Sequence, residues 1–146
     1  MLEIKEITAD STRPLRHSIL RPNQTLADCI YPGDDDDLSF HIGAYEDGQL
    51  ICIASFFPQS TERIAQTKQY RLRGMATSPA FRSKGIGAEV LKRGEEIALA
   101  KGYDVLWCNA RTSASGYYLK QGYSAFDDEF EIEGIGPHYV MWKDLA

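Results

Sequence analysis

Two cationic side chains and two glycines crowd the segment Arg82-Ser83-Lys84-Gly85-Ile86-Gly87-Ala88. Together they could hold a phosphorylated ligand. Gly85 and Gly87 remove side chains that would keep a diphosphate from the backbone. Arg82 and Lys84 add mobile positive charge. Such a loop binds best where it opens a helix, because a helix N-terminus carries unpaired N–H groups and about half a positive charge. The next residues supply that helix: Ile86, Val90, Leu91, Ile97 and Ala98 recur at helical spacing, and Gly102 stops it. Two other phosphate fingerprints do not fit. The nucleotide-hydrolase loop needs Gly, four residues, then Gly-Lys-Ser/Thr, and the dinucleotide fingerprint needs three glycines in another spacing. A glycine-bearing loop that only caps a helix is the competing reading.

The titratable residues offer less. His138 is suited to accept a proton near neutral pH and follows the turn Gly136-Pro137. A base and a structural histidine both satisfy that placement. His41 is expected in the core or on the sheet surface, and His17 on a solvated helix face. Glu131 and Glu133 read as an exposed acidic loop, with a cationic substrate as the alternative. The run Asp34-Asp35-Asp36-Asp37 is expected to be a solvated turn, because adjacent carboxylates repel and the calcium-loop spacing is absent. Cys29, Cys52 and Cys108 form neither a Cys-x-x-Cys nor a Cys/His cluster, so no metal is expected. Buried free thiols are the default, and reduced thiols suit a cytoplasmic protein.

These residues need elements to hold them. Leu2–Ile7 reads as a first strand. Asp10, Ser11 or Thr12 caps a helix with Pro14 in its first turn, ending near Arg21-Pro22. Residues 23–33 read as a short helix or a lid. Residues 39–45 and 49–57 are strands around the hairpin signal Glu46-Asp47-Gly48. A polar link, 58–69, leads to a strand over 70–77 that Ser78-Pro79 stops. After the loop and long helix come a buried strand over 104–109, a short helix over 113–121 and strands over 123–126 and 139–143. An acidic stretch, 127–133, joins the last two.

The segment from Met75 to Gly87 carries Arg-x-x-Gly-x-Gly after a strand and a Pro turn. It resembles the acyl-CoA loop of the GNAT superfamily of N-acetyltransferases. Ala114-Ser115-Gly116-Tyr117-Tyr118-Leu119-Lys120-Gln121-Gly122-Tyr123 resembles the family's second signature, Ala-x-x-aromatic-Tyr-x-x-x-Gly-aromatic. The closing Gly136-Pro137-His138-Tyr139-Val140-Met141 resembles a subgroup of small bacterial members. The resemblance spans nearly the whole chain. It implies a mixed α/β (α+β) fold: a strongly twisted mixed sheet of about six to seven strands, flanked by helices, with two central parallel strands splayed apart. Residues 70–77 and 105–109 would be those strands, with a bulge at Arg73-Gly74.

The resemblance also implies acetyl transfer from acetyl-CoA, as co-substrate, to a primary amine. Met75, Ala76 and Thr77 would supply a backbone N–H to the thioester oxygen. Arg82, Ser83, Lys84, Gly85, Ile86, Gly87 and Ala88 would hold the diphosphate, and Asn109 the pantetheine arm or else only a turn. Tyr118 matches the position whose phenol hydrogen-bonds or protonates the departing sulfur. Its alternative is packing with Tyr117 and Tyr123, both expected in the core. His138 is the candidate base. The acceptor would be a small-molecule or peptide amine, and a homodimer is left open.

Composition bounds these readings. The 146 residues form one domain, 1–146, by the usual size prior. An apolar fraction of 43% and a charged fraction of 25% are ordinary for a globular protein. A net charge of −5 disfavours nucleic acid. No apolar run approaches spanning length, so no membrane partner is expected. Two rivals remain: a CoA-binding regulatory module without turnover, and a domain for another nucleotide.

Overall fold

The computed structural model describes residues 1–145. Eight strands form one sheet: β1 (Leu2–Ile7), β2 (Phe40–Glu46), β3 (Gln49–Phe57), β4 (Gln69–Thr77), β5 (Val105–Arg111), β6 (Ser124–Ala125), β7 (Phe130–Ile132) and β8 (Gly136–Asp144). Their order is β1-β2-β3-β4-β5-β8-β6, with β7 on β8. Only β4 and β5 run parallel. The expected six to seven strands are therefore eight. The extra one, β7, lies inside the acidic stretch, where Phe130 and Ile132 flank Glu131 and pair with His138 and Gly136. Three residues are too short a run for alternation to stand out.

The β2–β3 hairpin turns as its sequence demands. Asp47 and Gly48 both have positive φ, 49° and 83°, which a two-residue turn of matching twist requires. Helix α1 (Ala9–Leu15) begins earlier than expected. Thr8 caps it, its Oγ1 accepting from the Ser11 N–H at 3.3 Å. Pro14 consequently sits in the second turn, where it removes a ladder donor. The chain continues as a wide π turn over Arg16–Leu20, closed by the Arg21 N–H on the Arg16 carbonyl at 3.0 Å. That turn carries Ile19, Leu20 and Arg21 toward the sheet. The ambiguous 23–33 stretch holds a 3-10 turn, Leu26–Cys29, whose start Thr25 and Asp28 cap reciprocally.

Helix α2 (Ile86–Ala100) buries Ile86, Val90, Leu91 and Ala98 against one sheet face. There Phe40, Ile42, Phe56, Tyr70, Leu106 and Met141 complete the main core. Gly94 allows the closest approach, since a Cβ there would fall on the Phe56 ring. A smaller cluster of Ile64, Val105, Trp107 and Val140 covers the other face. The 58–68 link is tied down by buried Gln69, whose amide bonds to Thr61, Ile64 and Gln66. No helix among the described residues is long and apolar enough to cross a membrane.

Candidate active site

The site begins with a break in the sheet. β4 and β5 pair only from Gln69–Arg71 to Val105–Trp107. Beyond that, β4 runs on to Thr77 and β5 to Arg111 without pairing each other. On its other side β4 takes an extra residue. Ser55 of β3 stands opposite Arg73, but Ile53 stands opposite Ala76. Gly74, at φ +63°, absorbs the bulge at the expected place. The bulge turns β4 away from β5, and backbone groups of β4 beyond Arg71 on the β5 side have no strand partner. Helix α3 (Ser115–Lys120) follows β5 and a short turn, bringing Tyr118 beside the gap.

Two cavities occupy this opening. One, of about 480 Å³, is lined by Met75, Ala76 and Thr77 of β4, by Arg82, Ser83, Gly85, Ile86, Gly87 and Ala88, and by Tyr117 and Tyr118. Ser83 and Gly85 both adopt left-handed backbone, at φ 64° and 79°. Gly85 caps α2 with no side-chain bond to its first N–H groups, so those donors are left for a ligand. A Cβ on Gly87 would stand 3.0 Å from the Tyr117 hydroxyl and 3.3 Å from Met75 Cε, within the cavity wall. The cradle suits a diphosphate on backbone donors. Arg82 is less mobile than its sequence suggests, since its Nε donates to the Thr77 carbonyl at 3.1 Å. Lys84 does not line the cavity; its ammonium lies 5.5 Å over the Phe81 ring.

The other cavity, of about 230 Å³, lies in the gap between β4 and β5. Its walls include Tyr31, Arg71, Arg73, Gly74, Cys108, Asn109 and Ile132. Leu20, Met75, Arg111, Ala114 and Tyr118 belong to both cavities, so the two meet at Met75 and Tyr118. The Tyr118 hydroxyl is 3.8 Å from Met75 Sδ, and its ring packs edge-on against Tyr117 and Tyr123. Burial, with neighbouring Cys108 and Tyr117, pushes the Tyr118 phenol well above its ordinary value. It is a donor throughout the working pH range.

The remaining candidates separate. Asn109 lines the cavity between β4 and β5. His138 stands opposite Arg111 on β8, is buried, and lines neither cavity. Its Nδ1–H donates to the Gly136 carbonyl at 2.7 Å, which fits a side chain that holds its turn. Tyr123 is buried as expected, donating to Glu95 at 2.9 Å. Tyr117 is not in the core: it is 37% exposed and forms cavity wall. Cys108 lines the β4/β5 cavity, but burial raises its thiol to about 12, so it stays protonated and inert.

The sequence reading missed a buried polar network behind the site. Asp34, expected in a solvated turn, is buried. Its carboxylate takes Arg16 Nη1 and Nη2 at 2.8 and 2.9 Å and the Tyr31 N–H at 2.9 Å. Arg16 Nη2 also donates to Ser55 Oγ at 2.7 Å, and Ser55 donates to His41 Nδ1 at 2.7 Å. His41 Nε2–H closes the ring on the Asp34 carbonyl at 2.9 Å. Only the first carboxylate of the run turns inward, because the arginine that needs it lies eighteen residues away in α1's continuation. The network seats the Tyr31 ring 3.9 Å from the Arg16 guanidinium, and Arg73 lies 4.4 Å from the same ring.

Known proteins resemble this chain in sequence and in fold. The acetyltransferase (GNAT) family pattern matches residues 3–123. An uncharacterized N-acetyltransferase of Bacillus subtilis, YitI, is 44% identical over 145 residues, covering 99% of this chain and 97% of its own. Among solved structures, Escherichia coli ElaA superposes with a TM-score of 0.78 at 17% identity, covering 98% of this chain and 99% of its own. An aminoglycoside 6'-N-acetyltransferase complexed with coenzyme A gives 0.76 at 12% identity, covering 99% and 97%. At those identities the likeness is one of fold.

Proposed function

The chain belongs to the acetyltransferase (GNAT) family, and we propose that it transfers an acetyl group from acetyl-CoA to a primary amine of a small molecule or peptide. The amine attacks directly within a ternary complex, on one domain that acts in the cytoplasm. One observation carries the reading: the loop-lined cavity and the β4/β5 cavity adjoin, with Met75 and Tyr118 in the wall of both. A donor held by the loop and an acceptor in the gap would meet there. The α2 N-terminus, Ser83, Gly85, Gly87 and Arg82 would hold the diphosphate, and the pantetheine arm would run from there toward Met75 and Tyr118; Asn109 lines the other cavity, on the acceptor's side.

Bound there, acetyl-CoA supplies an acetyl thioester; a C–N bond forms at its carbonyl carbon as the C–S bond breaks. Backbone donors of β4 near Met75 and Ala76 stabilise the charge that develops on the carbonyl oxygen. Tyr118 donates a hydrogen bond to the departing sulfur. Full proton transfer from this phenol is uphill, since even an ordinary phenol at about 10 is a weaker acid than a thiol at about 8.5. The acceptor must arrive neutral, and an alkylammonium has a pKa of about 10.4. No Asp, Glu or His lines either cavity among the described residues. The amine's proton therefore goes to solvent.

That same lack of a lining base is what favours the second reading, a CoA-binding regulatory module without turnover. Calorimetric titration with acetyl-CoA, ATP and NAD tests the donor site. Acetyl-CoA should bind alone of the three, and Gly87→Glu should abolish binding in a folded chain, because it places a bulky anion in the cradle. Equal binding of ATP, or unchanged acetyl-CoA affinity in Gly87→Glu, would overturn the assignment.

A further inference from the structure

The acceptor-side cavity is basic in an acidic chain. Arg21, Arg71, Arg73 and Arg111 line it, and no Asp or Glu does. The net charge of the whole protein is −5. Among the described residues, the arginines that pair with carboxylates are Arg13, Arg16 and Arg63; none of the cavity's four is among them. Asp34 is the carboxylate that Arg73 feels, but its oxygens are already taken by Arg16 and the Tyr31 N–H.

The cavity's guanidiniums are also held in place. Arg16 and Arg73 both lie over the Tyr31 ring, at 3.9 and 4.4 Å from its centroid, with Arg21 at 5.8 Å. Arg71 lies 5.0 Å over the Trp107 ring, and its Nη1 donates to Gln59 at 3.2 Å. Its Nε is buried with no partner. An aromatic face supports the guanidinium plane and leaves its N–H edge for an acceptor. Burial and mutual repulsion press the Arg71 pKa down to about 10 and lower that of Arg73. Charges crowded this way against their own solvation are relieved by an anion.

We infer that the acceptor is an amine that also carries an oxyanion, a carboxylate or phosphate gripped by Arg71 and Arg73, rather than a polycationic amine. The inference rests on the assignment of this cavity to the acceptor. It fits the size of the space, about 230 Å³, which holds a compact molecule and not a long chain. The same grip would exclude polyamines and other cations by like-charge repulsion.

The test is binding, so that it is readable whether or not acetyl transfer occurs. The CoA-loaded chain is titrated calorimetrically with α-amino acids, ω-amino acids and aminoalkyl phosphates, each beside its amide or its counterpart without the anionic group. At least one anionic class should bind about tenfold or more tightly than its counterparts, as one charge-assisted contact commonly gives. Whether carboxylates or phosphates lead identifies the oxyanion. Arg73→Gln should reduce that preference to under about threefold while CoA affinity holds, and Arg71→Gln, the other half of the grip, serves if Arg73→Gln fails to fold. Counterparts that bind as tightly as every anionic member would overturn the proposal. So would a loss of CoA affinity in the arginine variant equal to its loss for the anion, which would assign the arginines to the coenzyme. Tighter binding of anions without any thiol release would support the oxyanion grip of Arg71 and Arg73 and would overturn acetyl transfer, and with it the ligand's role as acceptor.

Discussion

At the scale of single residues, Tyr118 is the sharpest claim. Its hydroxyl sits where the two cavities adjoin, and its raised pKa keeps the phenol protonated and able to donate. Tyr118→Phe keeps the ring and should lower kcat by about 10²-fold, with acetyl-CoA affinity unchanged. Tyr123→Phe is the control: it removes an equally buried hydroxyl that bonds Glu95 and lines neither cavity, so it should cost stability and not turnover. Equal rates in Tyr118→Phe and the native chain, with chemistry rate-limiting, would take the phenol out of the mechanism. The family signature made Tyr118 legible in the sequence. The placement of His138 was not, because a histidine after a Gly-Pro turn serves as base or turn anchor alike until its neighbours are known. With no base lining the cavities, kcat/KM should climb with pH along the acceptor's own ammonium pKa. A marked fall of kcat/KM at neutral pH in a folded His138→Gln would instead show that the imidazole takes the proton.

At the scale of elements, what could be read from sequence is what local chemistry dictates. The Asp47-Gly48 turn and the α2 stripe each follow from residue types within a few positions, whereas the bulge at Gly74 was implied by the family resemblance. The inward turn of Asp34 does not, because its cause is Arg16, in another element. The π turn after Pro14 was hidden as well, since nothing in the local pattern signals a widened turn. Two substitutions probe these levels. Gly94→Ala gains about 1 kcal/mol of helix propensity, but its methyl must displace the Phe56 ring. Overpacking of about 1–3 kcal/mol should win, so the melting temperature should fall. A rise would mean that α2 can lift off β3 at little cost. Arg16→Leu leaves Asp34 buried without its partner and should destabilise by about 3–5 kcal/mol. It should also loosen the Tyr31 ring against which Arg73 lies.

At the scale of the whole molecule, the same network couples stability to pH. Burial opposes ionisation of Asp34, but bonds from Arg16 and the Tyr31 N–H outweigh it and lower its pKa. Burial, reinforced by the Arg16 charge, lowers that of His41 against the opposing bond to the Asp34 carbonyl. Both folded values lie below the unfolded ones. Their stabilisation is therefore complete above the unfolded pKa values and is lost as pH falls through the folded ones. For His41 the loss begins below about 6.5, so thermal stability should decline from pH 7 toward pH 5, with a shallower slope in His41→Gln. A slope unchanged by that substitution would place the pH sensitivity elsewhere. The architecture has one purpose in this account: a bulge in β4 and a loop into α2 create two spaces that meet at one point. The most direct test is to incubate the protein with acetyl-CoA and a panel of amines, measuring free thiol and acetylated amine together. The account requires one thiol released per acetylated amine, with the rate depressed in Tyr118→Phe and absent in Gly87→Glu. Tight acetyl-CoA binding with no amine-dependent thiol release would contradict it and leave the chain a module that binds the coenzyme without turning it over.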